Sequence, residues 1–290
     1  MVNKISCLFI ILSLLFTSVK VNSQAPKSDF SHIEIIIDSA DFQKLILNTF
    51  IRNSLGKCSY DTMQTSPLVI SYYINGQENF IHFNPNKGYF AKQLGSAYII
   101  FQTRWPGQGK LLEKSWKSFT KDSLISYDIK NTDFTLTETI FKKHGNLHLS
   151  NTNHLIPMLS SYSIETYKKW GLGDSAEVSM KQFIGADSAD TKKLFAKMLS
   201  VRLSITKNEL IKLTSMMKVV EYKMKRNKFI KTGQPEISFT INNNENENKV
   251  KELVLLLNKH KGRQRIDLGN ILLLIKNNKA KFLFNYTTSY

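Results

Sequence analysis

One order of elements, a strand, a helix and then three strands, can be read three times along this chain, and it limits the fold more than any motif does. In the first pass Ile33, Ile35 and Ile37 alternate with His32, Glu34 and Ile36. This is a strand with one fully apolar face and one mixed face. Phe42, Leu45, Ile46 and Phe50 then recur at helical spacing, with Asp38 or Ser39 placed to accept the first free amides. After Gly56 come strands at Cys58 to Gln64, Leu68 to Ile74 and Asn79 to Phe83, the last two joined through the hairpin signal Asn75-Gly76.

The second pass starts at Ser96. It gives a strand from Ala97 to Thr103, a helix from Gly109 to Thr120 with Leu112, Trp116 and Phe119 on one side, and strands at Leu124 to Lys130, Phe134 to Lys142 and Asn146 to Ser150. Glu113 and Lys117 pair four residues apart on its surface. The third pass opens with a strand from Val201 to Ile205 and a capping box, Thr206-Lys207-Asn208-Glu209. Leu210, Leu213, Met217, Val220 and Met224 continue as the helix core. Strands follow at Glu236 to Ile241 and Glu252 to Leu257, then a hairpin of Ile271 to Ile275 with Ala280 to Phe284 turning through Asn277-Asn278. Tyr162 to Asp190 reads as a connector with some helix, and the polar tract Asn242 to Lys249 as a long hairpin loop. The expected class is α+β, repeated βαβββ units forming curved, mostly antiparallel half-barrel sheets. Residues 24–190 form two units plus the connector, and 191–290 a third.

Residues 1–23 read as a secretory signal. Lys4 supplies the basic start, Ile5 to Val19 the apolar run, and Val21-Asn22-Ser23 the small-residue end before Gln24. The run is shorter than the roughly 20 residues of a membrane span, so the mature protein is expected to be exported, in the periplasm, at the envelope or outside the cell. Export argues against chemistry that needs cytosolic nucleotides or reducing power. Cys58 is then the sole cysteine, so no internal disulfide can form and the fold rests on its core.

The formal charge is +17, from 40 basic and 23 acidic residues. That balance favours anionic partners, including an anionic component of the cell envelope, and the densest basic cluster is Lys218 to Lys231 with Arg226. No nucleic-acid motif frames it, so a specific nucleic-acid partner is not expected. The chain carries no Gly-x-Ser-x-Gly elbow, phosphate-cradling glycine loop, His-Glu-x-x-His or paired-cysteine site. Trp105, Trp116 and Trp170 are isolated, and Trp116 is accounted for as helix core.

A chain of such units, starting with His32-Ile33-Glu34-Ile35-Ile36-Ile37-Asp38 and closing its first unit on Asn79-Phe80-Ile81-His82-Phe83-Asn84-Pro85, resembles the vicinal-oxygen-chelate or glyoxalase-like superfamily. Within it the chain is similar to an uncharacterised bacterial glyoxalase-like family, often exported, over residues 31–284. The resemblance implies paired units enclosing one divalent metal, with ligands on the first and last strands of each. By strand parity His32 and Glu34 share one face, as do Phe80, His82 and Asn84, so His32, Glu34 and His82 are candidate ligands for zinc, iron, nickel or manganese. The superfamily usually has glutamate where His82 stands. The second unit offers Ser96 or Ala97 in place of a histidine, and only His144, His148 and His154 near its end. The leading expectation is therefore a binding or interaction module without a complete metal site and without a cofactor, rather than an enzyme. It would hold a small molecule or peptide in the sheet concavity through Tyr72, Tyr98, His32 and His82. The alternatives are a metal-dependent lyase, isomerase or dioxygenase, and a basic protein adhering to an anionic envelope polymer.

Overall fold

The computed structural model describes residues 26–63, 69–87, 94–119, 124–130, 135–141, 155–173, 176–185, 192–247 and 249–286. The signal segment with Cys7, the strand expected at Asn146 to Ser150, and His144, His148 and His154 lie outside the described residues. Among those described, no helix is long and apolar enough to cross a membrane.

The first unit is strand β1 (Ser28–Ile37), helix α1 (Ser39–Leu47), a turn of π-helix (Ile51–Leu55), and strands β2 (Lys57–Met63), β3 (Val69–Asn75) and β4 (Phe80–Pro85). Asp38 caps α1, its carboxylate accepting from the Ala40 amide. The second unit is β5 (Ala97–Thr103), α2 (Gly109–Phe119), β6 (Leu124–Lys130), β7 (Thr135–Phe141) and β8 (Leu155–Tyr162). Together they build an eight-stranded sheet in the order β2-β3-β4-β1-β5-β8-β7-β6. In each unit the first and last strands run parallel, while β1 and β5 pair antiparallel at the centre. The sheet is thus two βαβββ units joined edge to edge in a curved, mostly antiparallel half-barrel, as expected from the sequence.

The last strand of the second unit is a correction. It is Leu155–Tyr162, which begins before the segment read as a connector. Leu155 to Ser161, which the sequence reading assigns to no element, are all buried, and Leu155 to Ser160 pair in parallel with β5. A strand covered on both faces is a continuous apolar run rather than an alternating one. Two short helices follow, α3 (Ile164–Lys169) and α4 (Met180–Phe183).

The third unit comprises β9 (Phe195–Ile205), α5 (Lys207–Val219), β10 (Lys223–Lys225), β11 (Lys228–Ile230) and β12 (Glu236–Ile241), with β13 (Lys249–Asp267) and β14 (Ile271–Phe284) beyond. Its sheet has the order β10-β11-β12-β9-β13-β14. β9 and β12 repeat the parallel first-and-last pairing, and β13 lies antiparallel on the other side of β9. Three details differ from the sequence reading. The helix stops at Val219 because Glu221 takes a left-handed backbone (φ 63°), so Met224 sits on β10, 53% exposed, instead of in the helix core. Phe119, expected on the buried side of α2, is 47% exposed. Asn277-Asn278 is not a hairpin turn: Asn277 (φ 58°) marks an irregularity within the single strand β14, and the turn is Leu268 to Asn270, with Gly269 at φ 90°.

Both sheets share one apolar core. Ile33, Ile35, Ile81, Phe83, Ile99 and Phe101 of the first sheet join Phe42, Leu112 and Trp116 of the helices and Val201, Leu203, Leu253 and Phe282 of the second sheet. Phe83 meets Phe282 at 6.0 Å between ring centroids, and Phe101 meets Tyr222 edge-on at 5.6 Å. The alternate residues of β1, β4 and β5 therefore line the face turned away from the helices, which is the inner face of the half-barrel.

Candidate ligand-binding site

Strand register arranges the inner face in rows. One row runs Ser59, Tyr73, His82, Glu34, Tyr98, Ile156 across β2, β3, β4, β1, β5 and β8. The next runs Lys57, Asn75, Phe80, His32, Ile100, Met158. The first unit thus supplies the imidazoles and the carboxylate, and the second a patch of Ile100, Ile156 and Met158 against which Tyr98 packs.

The two histidines are fixed by aromatic stacking. His32 lies on Phe80 at 4.0 Å with a 15° angle between rings, and His82 lies on Tyr73 at 4.2 Å and 18°. The Ser31 hydroxyl is 3.0 Å from His32 Nδ1. A polar chain orients the carboxylate: Ser71 Oγ donates to Asn84 Oδ1, and Asn84 Nδ2 donates to Glu34 Oε1, both at 2.5 Å. The other Glu34 oxygen faces His82 Nδ1 at 3.4 Å. His82 Nε2 is buried and has no hydrogen-bond partner among the described residues. Burial, and secondarily the neighbouring His82, pushes the His32 pKa well below its ordinary value, so His32 is neutral at neutral pH. Burial and the Glu34 carboxylate push the Tyr73 hydroxyl upward, so it remains a phenol.

A cavity of about 480 Å³ opens beside these rings. Tyr73 and Phe80 form its floor, Lys57, Ser59, Asp61 and Asn75 its polar wall, and Phe183 and Ile184 at the end of α4 its far side. Phe183 is held there by Tyr162 at 5.2 Å and Trp170 at 5.7 Å. The floor of the cavity and the support of the two imidazoles are therefore the same pair of rings.

Of the residues picked out in the sequence, His32, Glu34, His82 and Tyr98 come together on this face. Tyr72 does not. It is fully buried on the opposite face, in the main core beside Tyr60, and Tyr73 occupies the place expected for it. Pairing of Asn75 with Phe80 sets Tyr73 opposite His82, and a one-residue change of parity moves a side chain through the sheet. Phe80 stood in the motif without being assigned a role, and Phe183 had no signal that linked it to the site. Cys58 is half-buried and free, its thiol directed at the Ile51 carbonyl at 3.5 Å, and burial raises its pKa, which suits a packing residue better than a nucleophile.

The residues present do not fit the metal centre that the resemblance implies. His82 Nδ1 is turned to Glu34, and the two imidazole centroids are 6.5 Å apart in rings clamped by their stacking partners. From the second unit the same rows offer Tyr98, Ile100, Ile156 and Met158, with no imidazole or carboxylate. Among the described residues no three His, Cys, Asp or Glu side chains are disposed to hold a metal ion.

No curated protein matches this chain. Among solved structures it is similar to a xylose isomerase-like TIM barrel/4-hydroxyphenylpyruvate dioxygenase fusion protein, with 10% identity and a TM-score of 0.41, over 82% of this chain and 36% of that one. The chain thus spans about a third of the length of that protein. The pattern described as a family of unknown function (DUF5829) matches residues 30–284, nearly the whole of the three units, and the chain belongs to that family.

Proposed function

We propose that this chain is a binding module of the glyoxalase-like kind, exported to the cell envelope or beyond, that holds a small organic molecule or a peptide on the inner face of its half-barrel without a metal. One observation carries the reading: the cavity floor, Tyr73 and Phe80, is stacked on His82 and His32, while among the described residues the groups on this face able to ligate a metal come from the first unit. Concave sites with apolar and aromatic walls and a few placed polar groups are the usual form of small-molecule sites. Here the aromatic floor suits a planar or ring-bearing ligand. Lys57 and Asp61 offer charges of both signs at the wall, and a neutral His32 with a phenolic Tyr73 favours hydrogen bonding over ion pairing.

The test is a fragment screen read by amide shifts in two-dimensional NMR of the mature protein, repeated with Tyr73→Ala. Ligands are expected to perturb Ser59, Tyr73, Phe80 and Tyr98 and to lose about 2 kcal/mol, roughly thirtyfold in affinity, in the variant. Ligands that bind elsewhere, or that bind Tyr73→Ala as tightly as the parent, would overturn the assignment.

A further inference from the structure

We propose that the exposed middle section of the β13–β14 ribbon is a docking surface for a linear acidic polysaccharide, separate from the inner face of the half-barrel. Residues 258–265 of β13 are exposed without interruption, and four of them are cations: Lys259, Lys261, Arg263 and Arg265. Lys276 and Lys279 are exposed on the facing part of β14. None of the six has an ion-pair partner among the described residues. The one carboxylate of the ribbon tip, Asp267, is engaged in the turn, accepting from the Gly269 amide. Between the pairs Leu256–Lys279 and Lys261–Asn277, four residues of β13 stand opposite Asn278 alone, so this strand bows away from its partner and carries its charges outward.

What is missing from the ribbon selects the partner. Residues 258–265 include no apolar side chain to enter a bilayer, and no Phe, Tyr or Trp occurs from Asn258 to Lys281 to stack on bases. Between the cations of β13 stand His260, Gly262 and Gln264, and between those of β14 Asn277 and Asn278; the amides and the imidazole form hydrogen bonds with sugar hydroxyls. The basic cluster prominent in the sequence, Lys218 to Lys231, is a poorer surface. Lys228 is paired with Glu236 at 2.7 Å, and Lys231 lies 3.6 Å from Glu221 while donating to the Ser28 and Val220 carbonyls. That cluster is partly neutralised and partly structural.

Calorimetric titration of the mature protein with polygalacturonate tests this, alongside dextran, oligothymidylate and phosphatidylglycerol vesicles. The probes are compared on the parent, on a ribbon variant (Lys259→Gln, Lys261→Gln, Arg263→Gln, Arg265→Gln) and on a hairpin variant (Lys223→Gln, Lys225→Gln, Arg226→Gln). All substituted positions are exposed, so circular dichroism and thermal midpoints should match the parent. Polygalacturonate is expected to bind with an affinity that falls with salt, to weaken about tenfold or more in the ribbon variant, and to change by no more than about twofold in the hairpin variant. Dextran is expected not to bind. The proposal is overturned by absence of polygalacturonate binding, by equal loss in both variants, or by tighter binding of oligothymidylate or vesicles than of polygalacturonate.

Discussion

His32 is a buried base held against an aromatic ring, and its cost is visible as pH dependence. Its pKa is lowered in the folded protein and ordinary, near 6.5, in the unfolded chain, so on acidification the unfolded state takes up the proton first. Its contribution is therefore undiminished above about pH 6.5 and is lost as the pH falls from there toward the lower folded value. The groups facing it are His82 and Phe80, with Glu34 one row away. Denaturant unfolding of the parent and of His32→Phe between pH 7.5 and 5 should show the variant losing stability less steeply with acid; parallel curves would place His32 outside the titration. At this scale strand parity alone put His32, Glu34 and His82 on one face. It could not choose between Tyr72 and Tyr73, because which tyrosine opposes His82 depends on how many residues the Asn75-Gly76 turn leaves unpaired, and a turn signal does not give that register.

Helix boundaries were legible where a capping side chain sets them and not where the backbone alone does. Thr206 accepts from the Glu209 amide at 3.4 Å and starts α5, as the capping box indicates. Thr206→Ala should lower stability by about 1 kcal/mol in chemical denaturation, and no change would mean that the amide finds another acceptor. The end of α5 was hidden. The apolar spacing runs on from Val220 to Met224, but the chain leaves the helix at Glu221 and the Tyr222 amide returns to the Met217 carbonyl. Met224 then joins a short edge hairpin, β10–β11, whose side chains alternate too briefly to announce a strand. In β8, burial on both faces erased the alternation that identifies β1.

The order of elements revealed the half-barrel, since two βαβββ units have one economical way to share a central pair of first strands. The docking of the third unit was not legible, because it rests on contacts between residues far apart in sequence. Asn79 is the plainest case: from the loop after β3 its Nδ2 donates to the Phe30 carbonyl at 2.9 Å and its Oδ1 accepts from the Met198 amide at 3.0 Å, joining the two sheets. Arg104 adds a two-bond clasp on Asp29, whose Oδ1 also accepts from Gln234 Nε2. Asn79→Ala leaves a buried carbonyl and a buried amide unpaired and should cost about 2 to 4 kcal/mol. Because one core spans both sheets, unfolding should remain a single transition by fluorescence and circular dichroism; separated transitions would show two independently stable bodies.

The central claim is that this half-barrel binds its ligand without a metal. It is tested most directly by elemental analysis of the mature protein, purified without chelators or a histidine tag, beside a His32→Ala, His82→Ala double variant. The account predicts no stoichiometric divalent metal in either protein. About one metal per chain in the parent, lost in the variant, would contradict it.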